Sequence, residues 1–166
     1  MSTRTGFSVS GSALAAMLAV LSGVTWAEDA GTAAAADGYD AALAARLAAD
    51  ERGMRRYVLV VLRTGAARVP DGPARDAMFA GHFANMERMA KAGKLAIAGP
   101  FQQDPAGWRG LYVFAVESID EARELAETDP VVVQGEMVAE YHEWYGSAAL
   151  MLVPETHGRI VPPARP

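Results

Sequence analysis

Along the middle of the chain, apolar and polar residues recur with two spacings, one near two residues and one near 3.6, and their order predicts a fold. Tyr57–Arg63 (YVLVVLR) is apolar at odd and even positions alike, which predicts a strand covered on both faces. The loop Gly65–Pro73 carries Asp71 as the expected helix cap and Pro73 in the first helical turn. A helix then runs from about Ala74 to Ala92, with Gly93 as its left-handed terminal residue. Lys94–Ala98 reads as a short strand broken by Gly99-Pro100, and Arg109–Val116 (RGLYVFAV) as a third strand, again apolar on both faces. Ser118-Ile119-Asp120-Glu121 has the form of a capping box. It opens a second helix that buries Ile119, Ala122, Leu125 and Ala126 and is stopped by Asp129-Pro130. Met137–Tyr145 (MVAEYHEWY) alternates as a fourth strand, with Val138, Glu140, His142 and Trp144 on one face.

The predicted order is β-α-β-β-α-β. This is the ferredoxin-like split βαβ plan of the α+β class: an antiparallel four-stranded sheet with two helices on one face. Strands one and three are aliphatic on the other face too. A second copy packed sheet to sheet is the simplest cover, so a homodimer is expected.

The flanking segments extend this plan. Arg4 followed by the uncharged run Ala13–Val24, then Thr25-Trp26-Ala27 before Glu28, has the form of an export signal covering residues 1–27. A run of about twelve apolar residues is short for a membrane span, so no membrane anchor is expected after cleavage, and the mature protein is expected to be periplasmic or secreted. Residues 28–54 read as a small-residue leader followed by a helix. Asp37 is its cap, Tyr39, Leu43 and Leu47 form its stripe, and its end lies near Gly53. The main domain spans 55–147. Residues 148–166 read as a C-terminal tail, apolar over Ser147–Val153 and rich in proline beyond.

Composition narrows the chemistry. The 166 residues are 51% hydrophobic and 21% charged, which suits one globular domain. A net charge of −5 gives no footprint for nucleic acid. Without cysteine there is no disulfide, thiol nucleophile or thiolate metal site. His82, His142 and His157 are too far apart to form a local metal motif, so no metal is expected. Neither a dinucleotide fingerprint nor a nucleophilic serine motif is present, and no cofactor is expected.

His82 is the main candidate. With Met78 at zero on a helical wheel, His82 falls at ~40°, Met86 at ~80° and Met89 at ~20°, and Phe79 and Phe83 are read as completing the stripe. The imidazole therefore faces what the helix packs on. It is either a hydrogen-bonded core residue or half of a site. In the second reading, Asp129 accepts from one ring nitrogen and leaves the other as a base. Asp129 has its own structural reading as a helix stop and turn former. Arg63, at a strand end, is either a holder of an anionic substrate or a solvated cation. Trp144, sharing a strand face with His142, either lines a cleft for a planar ring or packs at an edge or dimer contact.

His82, the run Lys91-Ala-Gly-Lys-Leu-Ala-Ile-Ala-Gly-Pro100 and the capped helix ending in Asp129-Pro130 resemble the YciI (YCII-related) family of dimeric α+β barrel proteins. The resemblance covers roughly Tyr57–Tyr145. It implies a ferredoxin-like dimer whose cleft holds a histidine–aspartate pair proposed to be catalytic. Its relatives include a dehydrochlorinase acting on a hydroxyquinol, and the wider fold includes muconolactone isomerases and small monooxygenases. The function expected is proton transfer, isomerisation or elimination on a small substrate. The alternative is a non-catalytic module for binding a small ligand or for dimerisation.

Overall fold

The computed structural model describes residues 38–162. The expected export signal and most of the leader, including Asp37, lie outside the described residues. Four strands form one antiparallel sheet in the order β2-β3-β1-β4, made of β1 (Met54–Thr64), β2 (Leu95–Pro100), β3 (Trp108–Phe114) and β4 (Met137–Ser147). The long helix α2 (Pro73–Lys91) joins β1 to β2, and α3 (Ile119–Ala126) with the short α4 (Pro130–Val133) joins β3 to β4. The strand–helix–strand unit thus occurs twice, as the split βαβ plan requires.

The apolar character of β1 on both faces follows from its central place. It pairs with β3 on one side, and with β4 along its whole length from Met54↔Ser147 to Thr64↔Met137. Val58, Val60 and Leu62 face the helices and pack with Met78, Met89, Tyr112, Phe114 and Ala122. The other face carries a second cluster of Tyr57, Ala96, Val113 and Ala115. Part of its cover comes from this chain, because Leu150 and Met151 pack against it. The segment read as a tail is in fact helical: a 3₁₀ turn at Ala148–Leu152 leads into α5 (Val153–Ile160). Pro154 sits in the first turn of α5, where the missing N–H costs nothing.

Several local expectations change. The first helix, α1, is only Ala41–Arg46. It is capped by Asp40 and ends ahead of Ala48, which adopts φ 53° and cannot continue a right-handed helix. The cap of α2 is Gly72 rather than Asp71, whose carboxylate pairs with Arg68 and Arg75. β2 runs on through Gly99-Pro100, which an edge strand tolerates. Ser118 caps α3 by accepting from the Glu121 N–H at 3.1 Å, whereas the Glu121 carboxylate takes a bond from Lys94 Nζ at 2.7 Å. Gly93 takes the left-handed conformation at φ 69°, as expected.

On α2, Met78, His82 and Met89 are buried and Phe79 and Met86 partly so, but Phe83 is 60% exposed. On the wheel Phe83 lies at ~140°, outside the stripe, while Asn85, at ~340°, belongs to it and is buried.

Candidate active site

Two small features bring α2 and α4 into contact. Gly81, next to His82, faces Pro130, next to Asp129, so closely that a Cβ on Gly81 would lie 3.0 Å from Pro130 Cγ. Asp129 is held by its own role as the cap of α4, accepting the Val131 N–H at 3.1 Å. From there its carboxylate oxygens lie 2.9 and 3.0 Å from His82 Nδ1. Tyr112, pointing up from β3, donates its O–H to Asp129 Oδ2 at 2.6 Å and lies 3.2 Å from the same imidazole nitrogen.

A carboxylate with no exposed surface, as Asp129 is, survives as an anion only if donors replace water. Burial works to raise its pKa, but the hydrogen bonds from His82 and Tyr112, the imidazole charge and the Val131 N–H outweigh it and hold the group below the usual range. Burial, and then the bond and charge of Asp129, push the Tyr112 phenol far up, so it stays a neutral donor. An ionised acceptor at Nδ1 assigns the ring proton to that nitrogen, which leaves the Nε2 lone pair free in the neutral ring. Among the described residues only Nδ1 makes hydrogen bonds.

His82 opens on a cavity of about 400 Å³ between α2 and the β2–β3 side of the sheet, lined also by Phe79, Phe83, Phe101, Arg109 and Tyr112. Beside Met137, which also lines the cavity, lies a cluster that sequence reasoning missed. Glu136 is buried and accepts from Val69 N and Arg75 Nη2, each at 2.8 Å, with Arg109 Nη1 at 3.7 Å. Led by the hydrogen bond from Arg75 and opposed by burial, these contacts lower the Glu136 pKa to about 2. Glu136 is placed by a close backbone approach. Gly65 donates to its carbonyl at 2.9 Å, and a Cβ on Gly65 would fall 2.0 Å from the Gly135 carbonyl oxygen.

The expected residues therefore separate. His82 and Asp129 are brought together. Arg63 turns to the sheet face away from the helices, where it donates to Glu140 at 2.8 Å and to the Ala106 carbonyl at 3.1 Å. Trp144 sits on that same face, 5.6 Å from the Tyr57 ring, and does not line the His82 cavity. His142 is exposed nearby, and His157 lines a groove of about 660 Å³ between α2, β2 and α5. No group of three His, Asp or Glu side chains among the described residues is arranged to hold a metal ion.

Fold and site together define a ferredoxin-like α+β domain with a buried histidine–aspartate pair opening on a small cavity. The YCII-related domain matches residues 54–145, and the chain belongs to that family. It is 35% identical over 65 residues to the uncharacterised protein YjpA of Bacillus subtilis (strain 168), a match covering 39% of this chain and 73% of that protein. Among solved structures it is similar to the 5-chloro-2-hydroxyhydroquinone dehydrochlorinase of Burkholderia phenoliruptrix AC1100 in complex with 2,5-dihydroxybenzoquinone. That likeness is at 23% identity and a TM-score of 0.39, and covers 52% of this chain and 92% of that one.

Proposed function

We propose that this protein is an enzyme that moves a proton on a small molecule, with His82 as general base and acid and Asp129 as the residue that orients and charges-balances it. The observation that carries this reading is the single-sided pairing of the imidazole: Nδ1 is tied to a buried carboxylate, and Nε2 has no described partner on a residue that lines a cavity. In the proposed step Nε2 takes a proton from substrate carbon or oxygen, and Asp129 stabilises the imidazolium that forms. The ring then returns the proton to another atom in an isomerisation. In an elimination a leaving group departs with the bond electrons and the ring loses its proton to solvent. Neither step calls for a cofactor. Tyr112 keeps the carboxylate in place.

The test is proton exchange in D₂O. Small phenols, lactones and carbonyl compounds are incubated with the protein and followed by ¹H NMR for loss of a C–H signal. Such positioned acid–base groups contribute about 10²–10⁴-fold, and His82→Ala and Asp129→Ala are each expected to remove catalysis of that order while remaining folded. Exchange that persists in both variants rejects the assignment and favours a non-catalytic binding module.

We propose further that a second copy covers what the C-terminal helices leave open on the outer sheet face, where Val138 and Trp144 are 53% and 40% exposed. Sedimentation that finds a stable monomer rejects the homodimer. The export-signal form of residues 1–27 supports a periplasmic or secreted site of action, and the mass of the mature chain tests cleavage before Glu28.

A further inference from the structure

We infer, on the proton-transfer reading above, that Arg109 is the anion-holding residue of the His82 cavity, and that the substrate is a small ring-sized anion bearing a carboxylate or similar oxyanion. Three observations converge. First, the charges around Glu136 do not cancel: one buried carboxylate faces two guanidinium groups, those of Arg75 and Arg109. Among the described residues, the other carboxylates that act on Arg75 are Asp71, which is 82% exposed and screened by water, and Asp76, whose influence is weaker still. Second, the two arginines are not equivalent. Arg75 is nearly buried, donates to Glu136 and to the Val69 carbonyl at 2.8 Å each, and stacks over the Phe79 ring at 5.0 Å. Arg109 has only the 3.7 Å ion pair, makes no side-chain hydrogen bond with a described residue, and is 31% exposed. Third, Arg109 is the one arginine or lysine among the described residues lining this cavity, whose remaining walls, His82 apart, are largely aromatic and aliphatic.

A guanidinium carries five N–H donors in a planar fork suited to two carboxylate oxygens. Held by Glu136 yet not saturated by it, the Arg109 group is oriented without being used up. An apolar cavity offers a bound anion little else, so one ion pair decides which ligands enter. The aromatic walls favour a flat skeleton. The anion held at Arg109 fixes the direction in which the rest of the molecule lies, and so which proton meets His82 Nε2.

The experiment titrates the full folded protein with four carboxylates (benzoate, phenylacetate, 2-furoate and hexanoate) and with the neutral amide of each, reading thermal shift and the His82 ring signals by NMR. At least one carboxylate is expected to raise the melting temperature and move the His82 signals, with its amide doing neither. Arg109→Gln is expected to weaken that binding about 10-fold or more, and Arg109→Lys less, because a point charge without the fork remains. Equal binding of acid and amide, undiminished carboxylate binding in Arg109→Gln, or no binding by any of the four overturns the proposal. His82→Ala separates the two claims. It is expected to keep carboxylate binding while losing proton exchange, so a failure at Arg109 leaves the role of His82 standing, and a failure at His82 leaves the anion site standing.

Discussion

Replacing Glu136 by Gln removes one charge and almost no volume, from a carboxylate whose side chain is 2% exposed. In the folded protein its pKa lies at about 2, against 4.5 for the free group. A carboxylate with a depressed folded pKa adds stability that is fully present above the unfolded value and is lost as pH falls towards the folded one. The window is therefore about pH 4.5 down to about pH 2. At neutral pH the difference corresponds to about 3 kcal/mol, lessened by the partial exposure of Arg109. Urea unfolding of wild type and Glu136→Gln, run from pH 7 to pH 2.5, measures it. The variant is expected to be about 2–3 kcal/mol less stable at pH 7, and the gap to shrink steadily below pH 4.5. Other carboxylates titrate in both proteins, so the difference between the two isolates this one. A gap that is absent at pH 7, or constant across the range, refutes the reasoning.

Three further substitutions probe the supports of the site. Tyr112→Phe keeps the ring against Phe114 but removes the 2.6 Å bond to Asp129, and urea unfolding should show a loss of about 1.5–3 kcal/mol. Gly81→Ala gains about 1 kcal/mol of helix propensity but sets a methyl group 3.0 Å from Pro130, so the melting temperature should change little while proton exchange falls as Asp129 is displaced. Gly65→Ala places its Cβ against a backbone oxygen that cannot turn aside, and thermal unfolding should reveal a loss greater than about 2 kcal/mol.

How far the site was readable before the structure depends on whether its residues interact locally or across the chain. The order of strands and helices follows from the 3.6 period of the helices, the alternation of β4 and the continuous apolar runs of β1 and β3, which are buried on both faces. His82 was legible because the helical wheel turns it inward. The same wheel, followed strictly, also buries Asn85 and excludes Phe83, as observed. Asp129 was legible as a cap and stop, but its distance from His82 was not, since that depends on the contact of Gly81 with Pro130. Tyr112 sits in an aliphatic strand and reads as core filler, and its hydroxyl partner lies in a different connection. Glu136, Arg75 and Arg109 come from three separate segments, with no local spacing to mark them. Strand alternation does place Trp144 beside Tyr57 on the face away from α2, so its separation from His82 was open to inference once the helices were assigned to one side. The prolines near the C-terminus suggested a tail because a first-turn proline and a chain-ending proline look alike in sequence.

The proposed proton transfer depends most on which nitrogen of His82 carries the proton in the neutral ring. Long-range ¹⁵N–¹H NMR of the histidine ring reads this directly, in wild type and in Asp129→Asn. The prediction is a single Nδ1–H tautomer with a bare Nε2 in the wild type, giving way to a mixed or reversed population once the carboxylate is gone. An Nε2–H tautomer in the wild type, or a ring indifferent to Asp129→Asn, would contradict it.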